Sequence, residues 1–250
     1  MEAISKDFGK GLEFQKSVHV PIPINGKWLA ADWIMPSHPR GIVIFAHGSG
    51  SSRHSWRNKA VASSLLNFGM GSFLLDLLTP SEEKIDHVTK HLRFNIPLLA
   101  DRLEKATLWI RRQDCCPIVP IGFFGASTGA GAALIAAAIL GEKVAAVVSR
   151  GGRPDLAGKS LSLVISPTLL LVGEFDEEVL ALNRQALAGM HCTKQLKIIP
   201  GATHLFEEAG ALEQVARLAG EWFLKHCSGN SFHQSIPDAH RNMKRRRVLR

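Results

Sequence analysis

Three positions in this 250-residue chain carry the residue types of a nucleophile, a proton acceptor and a carboxylate that orients the acceptor: Ser127, His204 and Asp176. A serine hydroxyl is a poor nucleophile at neutral pH, so a neutral histidine must take its proton. A carboxylate then fixes the histidine tautomer and stabilises the imidazolium that forms. Ser127 lies in Gly125-Ala126-Ser127-Thr128-Gly129, after an apolar run at 118–124 and before a stretch of Ala, Leu and Ile that meets no helix breaker until Gly141. Strand, G-x-S-x-G turn and helix together form the pattern that lifts a serine out of a strand end. Only very small residues fit two places before and after the serine in so sharp a turn. The helix N-terminus beneath it favours negative charge developing nearby. A structural Gly/Ser-rich connector would look the same in isolation, so the weight falls on where the partners lie.

Asp176 sits four residues past the apolar run 168–172, and His204 five past 196–199. In open α/β sheets the working groups collect beyond the carboxyl ends of the strands. The chain order Ser, Asp, His is the one such sheets use. Glu174, Asp155 and Asp76 are rival carboxylates. Position and order favour Asp176, and Asp76 is expected to organise the nearby loop by hydrogen bonding. An oxyanion hole needs backbone donors. The Thr128 amide, just after the nucleophile, is one. The second is expected from His47-Gly48-Ser49-Gly50-Ser51-Ser52, with Ser49 preferred and Gly50 next. Each such donor is typically worth ~3 kcal/mol in the transition state. His47 is expected to fix that loop.

The elements that must hold these groups can be read from periodicity. Alternation at 16–24, then Asn25-Gly26, then 27–35 predicts an antiparallel hairpin. Apolar runs at 41–46, 72–78, 118–124, 144–149, 168–172 and 196–199 predict buried strands, and apolar spacing predicts helices at 56–68, 96–112, 178–189 and 205–226. The charged segment 81–90 is expected to be a surface excursion. An antiparallel start followed by repeated β-then-α units implies a mostly parallel sheet with helices on both faces. The expectation is one domain, 1–227, followed by a flexible basic tail, 228–250.

At this point the sequence resembles the α/β-hydrolase superfamily, and within it the dienelactone hydrolase-like family. The resemblance rests on His47-Gly48-Ser49-Gly50-Ser51-Ser52-Arg53, Asp76-Leu77-Leu78-Thr79, the Ser127 motif, Ser149-Arg150-Gly151-Gly152-Arg153-Pro154-Asp155 and Pro200-Gly201-Ala202-Thr203-His204. It covers about residues 17–226 and implies a three-layer α/β-hydrolase fold with about eight strands. Dienelactone hydrolases proper use a cysteine nucleophile, and this chain has Ser127. The resemblance therefore implies general serine hydrolase chemistry on a small ester, lactone or thioester. Acyl transfer by the same residues, or a non-catalytic binding protein on the same fold, are the alternatives. Canopies over such sites are commonly inserted at 150–167. That segment is short here, which predicts an open site for a small acyl group.

Arg150 and Arg153 follow a strand end, and arginine matches carboxylate or phosphate in a bidentate way. They are read either as substrate-binding residues or as a salt-bridged pair. His54 either lines the pocket or opens a surface helix. Neither a cofactor nor a metal is expected. His87 and His91 are spaced i, i+4 but have no third ligand, and Gly158-Lys159-Ser160 lacks the first glycine of a phosphate loop. The four cysteines, Cys115, Cys116, Cys192 and Cys227, form no C-x-x-C and are expected to be reduced thiols. Of the net charge of +8, six bases against one acid place +5 in the tail. The body is only mildly basic, so nucleic acid is not an expected partner apart from contacts by the 244–247 run. No membrane partner is expected, since no apolar run reaches the length of a span. Glu2, Asp7 and Glu13 argue against a transit peptide. The expectation is a cytoplasmic monomer or homodimer acting on a small-molecule acyl substrate.

Overall fold

The computed structural model describes residues 18–24, 26–113 and 119–227. The start of the first strand, Asn25 of the hairpin turn, Cys115, Cys116 and the basic tail lie outside the described residues. An eight-stranded sheet runs β1 (Val18–Ile24), β2 (Lys27–Ile34), β3 (Gly41–Ala46), β4 (Met70–Leu75), β5 (Ile121–Ala126), β6 (Ala146–Arg150), β7 (Thr168–Gly173) and β8 (Lys194–Ile199) along the chain. Its spatial order is β1-β2-β4-β3-β5-β6-β7-β8. β1 pairs β2 antiparallel, with Ile24 opposite Lys27, and β2 pairs β4 antiparallel. Every other neighbouring pair is parallel. This is the expected three-layer fold with its antiparallel N-terminal pair.

Helices α1 (Trp56–Leu66), α2 (Pro80–Thr89), α3 (Ile96–Ile110), α4 (Thr128–Leu140), α5 (Glu177–Gly189) and α6 (Ala211–Cys227) flank the sheet. Every residue of β3, β4, β5, β6 and β7 is buried. That is what continuous apolar runs produce when helices cover both faces of a parallel sheet. Side chains alternate between faces, so Phe123 joins the core under α3 and α4 while Phe124 joins the one under α1 and α6. The nucleophile strand is therefore anchored on both sides. Among the described residues no helix is long and apolar enough to cross a membrane.

Two helical segments differ from the sequence reading. The segment 81–90, expected as a surface excursion, is helix α2. Thr79 closes a capping box with Glu82, which satisfies two donors that a helix start otherwise leaves open, and Pro80 in the first turn removes another because it has no N–H. The last helix starts at Ala211 rather than near 205. His204 therefore stands in a loop, held by that loop's own hydrogen bonds.

Candidate active site

The turn after β5 shows why its glycines are needed. Ser127 has φ +50°, a left-handed conformation that a side chain adopts only under constraint. A Cβ on Gly125 would lie 2.4 Å from the Ala130 Cα, and one on Gly129 would lie 2.3 Å from the Ala46 carbonyl oxygen. The strand, the turn and the first turn of α4 therefore touch backbone to backbone. The Ser127 amide donates to the Arg150 carbonyl at 3.2 Å, and the Ser127 carbonyl accepts from Ala130 and Arg153. Ser127 is thus fixed by main-chain bonds on both sides, at the head of a helix whose first amides have no intrahelical acceptor.

Asp176 occupies the N-cap position of α5, yet its side chain makes no capping bond. The carboxylate turns instead to His204, with Oδ2 2.6 Å from Nδ1. The loops that carry these two residues are zipped together. Phe175 donates its amide to the Ala202 carbonyl at 2.9 Å, and Glu174 accepts from the Gly201 amide at 2.7 Å. Gly173 has no room for a side chain, since a Cβ there would meet the Ala202 carbonyl oxygen at 2.4 Å. The rival Glu174 is therefore occupied in bracing the turn. Thr203 completes the loop by donating both its amide and its hydroxyl to Glu208. Ser127 makes no hydrogen bond to His204 in this structure. Both border Arg150-Gly151: the Arg150 carbonyl takes the Ser127 amide, and a Cβ on Gly151 would stand 3.2 Å from the His204 carbonyl oxygen and 3.4 Å from its Nδ1.

The loop after β3 is held by side chains. The His47 Nε2 accepts the Leu77 amide at 3.2 Å, so the proton must reside on Nδ1, which lies 3.0 Å from the Gly48 carbonyl. Burial depresses the His47 pKa, outweighing the upward pull of the Gly48 carbonyl and of Asp76 and Glu83. The ring stays neutral, as that hydrogen-bond pattern requires. Asp76 receives the Arg53 amide at 2.7 Å and pairs with the Arg53 guanidinium, which also reaches Asp32 at 3.3 Å. Asp76 thus ties down the neighbouring loop after β3. A Cβ on Gly48 would stand 3.1 Å from the Ser127 Cβ, which places this loop directly against the elbow. The Ser49 amide, the preferred oxyanion donor, donates to the Thr128 hydroxyl at 2.9 Å. Gly50 turns with φ +72°. The Thr128 side chain was not singled out by the sequence reading, which used only its amide.

The remaining candidates separate. Arg153 has both arms of its fork on Asp155, at 2.9 and 2.8 Å, the salt-bridged reading. Arg150 is buried with its guanidinium 5.9 Å from the Phe206 ring centroid, just past His204, and its Nε and Nη1 have no hydrogen-bond partner. Burial, with the nearby Arg57, lowers its pKa to about 10. His54 is exposed, 4.0 Å from Asp32. It lines a cavity of about 600 Å³ between the loop after β3 and the segment 80–95. The cover over this region thus comes from α2 and the turn after it rather than from 150–167. The capping box at Thr79 was the signal that could have found it. Among the described residues no group of His, Cys, Asp and Glu is placed to hold a metal.

A solved dienelactone hydrolase from Anabaena variabilis superimposes with a TM-score of 0.83 and 51% identity, covering 85% of this chain and 98% of that one. The chain belongs to the dienelactone hydrolase family. It has the α/β-hydrolase fold, which solved hydrolases and esterases share. A Pyrococcus furiosus esterase shares the fold, with a TM-score of 0.66 at 16% identity, covering 86% of this chain and 92% of that one. A Mycobacterium tuberculosis protein, provisionally named a phosphoribosyl transferase, is 54% identical over 209 residues, or 84% of this chain. The match spans 45% of that protein's length, so more than half of that relative lies outside it. No protein-family model matches the chain.

Proposed function

We propose that the protein is a serine hydrolase that cleaves a small ester, lactone or thioester through an acyl-enzyme. The observation that carries this reading is the 2.6 Å bond from Asp176 to His204 Nδ1, in loops beside a serine held at φ +50°. The carboxylate on Nδ1 leaves Nε2 as the proton acceptor. Ser127 Oγ attacks the carbonyl carbon while Nε2 takes its proton. The oxygen that becomes negative is received by the Thr128 amide and by the Gly50 end of the loop after β3, since the Ser49 N–H is given to the Thr128 hydroxyl and serves to hold that loop against the elbow. The carbon–leaving-group bond breaks as Nε2 returns the proton to the leaving atom. Water, deprotonated by the same imidazole, then attacks the acyl-enzyme, releases the carboxylic acid and regenerates the Ser127 hydroxyl. The missing Ser127–His204 hydrogen bond accords with this reading, because such bonds are often long in free enzymes and tighten with substrate. Arg150, beneath the His204 loop, acts by holding Phe206 rather than by meeting substrate. The transferase name of the mycobacterial relative attaches to a protein more than half of which has no counterpart here, and the geometry of Ser127, Asp176 and His204 favours hydrolysis.

The test is hydrolysis of p-nitrophenyl acetate together with labelling by a fluorophosphonate, on wild type and Ser127→Ala. Turnover and labelling are expected in the wild type, and both vanish in the variant. A folded wild type that neither turns over nor labels would overturn the proposal.

A further inference from the structure

The cavity between the loop after β3 and α2 has a composition that selects its occupant. At about 600 Å³ it falls within the range of small-molecule pockets. It shares the Gly48–Ser49 wall with the elbow, since Gly48 packs on Ser127 and Ser49 bonds Thr128. Hydroxyls and carboxylates alternate in its lining with the apolar surfaces of Leu78, Leu99 and Trp56, the mixed character that a sugar ring presents. Ser49, Ser51 and Ser52 line one wall, Glu83 and Asp86 face them from α2, and Trp56 stands at the rim.

Charge decides against an anion. Asp76 is paired with Arg53, and Asp86 with Arg93 at 2.6 Å. Burial would raise the Asp86 pKa, but the Arg93 side chain and the amides of Arg93 and Leu92 hold it below the usual carboxylate range. The lining arginine, Arg93, is thereby neutralised, and Glu83 adds a further carboxylate. A ligand carboxylate or phosphate would meet net negative charge and lose its own hydration. An apolar chain would strip water from serine hydroxyls and carboxylates without replacing it. A neutral polyol satisfies both conditions. Serine hydroxyls donate and accept, Glu83 accepts, and Arg93 Nη1, which lies beside the Gly50 turn, donates. Trp56, with 56% of its surface exposed, offers a flat face for the C–H side of a sugar ring.

We infer that this cavity is the leaving-group subsite and that the substrate is an ester whose alcohol part is an uncharged, polyhydroxylated carbohydrate. The inference rests on the serine hydrolase reading above. Ser127 takes the acyl group, the ester C–O bond to the sugar breaks, His204 protonates the departing sugar oxygen, and water releases the acid.

The experiment compares kcat/KM for acetate release from methyl 6-O-acetyl glucoside, cyclohexylmethyl acetate and O-acetylglycolate, with p-nitrophenyl acetate as the reference. The sugar ester should exceed cyclohexylmethyl acetate by at least about tenfold, the discrimination expected from even one satisfied buried hydrogen bond, and the glycolate ester should be the poorest of the three. Glu83→Lys should raise the glycolate ester relative to the sugar ester, and Trp56→Ala should lower the sugar-to-cyclohexyl ratio. Turnover of p-nitrophenyl acetate with no preference for the sugar ester, or with preference for the glycolate ester, overturns the carbohydrate subsite and leaves the hydrolase reading standing. No turnover of any ester by the folded wild type overturns both.

Discussion

Replacing Asp176 by Asn separates the proposed orienting carboxylate from its rival. The substitution keeps the shape of the side chain and removes its charge. It also allows an amide NH2 to face Nδ1 in place of an oxygen, and in that orientation the 2.6 Å contact survives only if the imidazole takes the other tautomer. That tautomer places the proton on Nε2, where an acceptor is needed. The second loss is electrostatic. A carboxylate about 4 Å from the charge centre of the imidazolium is worth on the order of 4 kcal/mol at an effective dielectric constant near 20, which corresponds to roughly a thousandfold in rate. Combined with the wrong tautomer, the expected fall in kcat is about 10³–10⁴-fold, the size seen when the same change is made in a serine protease triad. KM should change little, since Asp176 does not meet substrate. The control is Glu174→Gln. That side chain accepts the Gly201 amide, and an amide oxygen can still accept it, so activity should stay within about threefold of wild type because one neutral hydrogen bond is worth only ~1 kcal/mol. Steady-state hydrolysis of p-nitrophenyl acetate reads both variants. The reasoning is refuted if Asp176→Asn retains a tenth or more of the wild-type kcat, or if Glu174→Gln falls as far as Asp176→Asn.

Thr128→Val removes the acceptor of the Ser49 amide and leaves that donor unsatisfied beside the elbow. A cost of ~1–3 kcal/mol predicts a five- to hundredfold drop in kcat, whereas Thr128→Ser keeps the oxygen and stays near wild type. Equal activities of the two variants would show that the hydroxyl does not position the loop. Gly129→Ala puts a methyl group on the Ala46 and His47 carbonyls, at 2.3 and 2.5 Å. It should cost ~1–3 kcal/mol of stability by overpacking and roughly a hundredfold in activity through the displaced nucleophile, read by urea unfolding and by kcat. His47 is held neutral with its pKa below the usual 6.5, so below that pH the unfolded chain binds a proton that the folded chain does not. Stability should therefore fall on acidification from about pH 6.5 by up to ~1.4 kcal/mol per pH unit, until the folded-state pKa is reached. Urea midpoints for wild type and His47→Gln between pH 7.5 and 5.5 check this, and parallel curves would rule it out.

What the sequence revealed and what it hid follow from how local each cause is. The elbow could be read because its demands are made within five residues: glycines where backbones touch, a serine at positive φ, and small residues that let α4 pack into the core. The partners could be placed because each follows a strand end and the chain order is constrained. The strand before the elbow was harder. An apolar run marks burial but not pairing, and β5 pairs from Ile121 through Ala126 rather than over 118–124. α2 was missed because its exposed face, with Ile85 and Val88 in solvent, gives no amphipathic stripe. Its start signal was present in Thr79-Pro80-Ser81-Glu82, and Asp86 is its one buried side chain. The bonds from Ser49 to Thr128 and from Arg53 to Asp76 join residues 79 and 23 positions apart, and no local pattern announces them.

Those long-range bonds divide the site into halves that are held differently. The half carrying Asp176 and His204 is fastened mainly by backbone: Phe175 to Ala202, Glu174 to Ile199, and a glycine where two loops leave no gap. Two carboxylates add to this half, Glu174 under the Gly201 amide and Glu208 under Thr203. The half carrying the loop after β3 is fastened by the side chains of His47, Arg53, Asp76 and Thr128. One of these, His47, holds its bond only while its ring is neutral. Protonating His47 would turn its acceptor nitrogen toward the Leu77 amide as a second donor. The proposed oxyanion loop is thus the more fragile half. Its failure would lower kcat while the Asp176–His204 contact stayed formed, so an acid-weakened enzyme should keep that hydrogen bond after it has lost most of its rate.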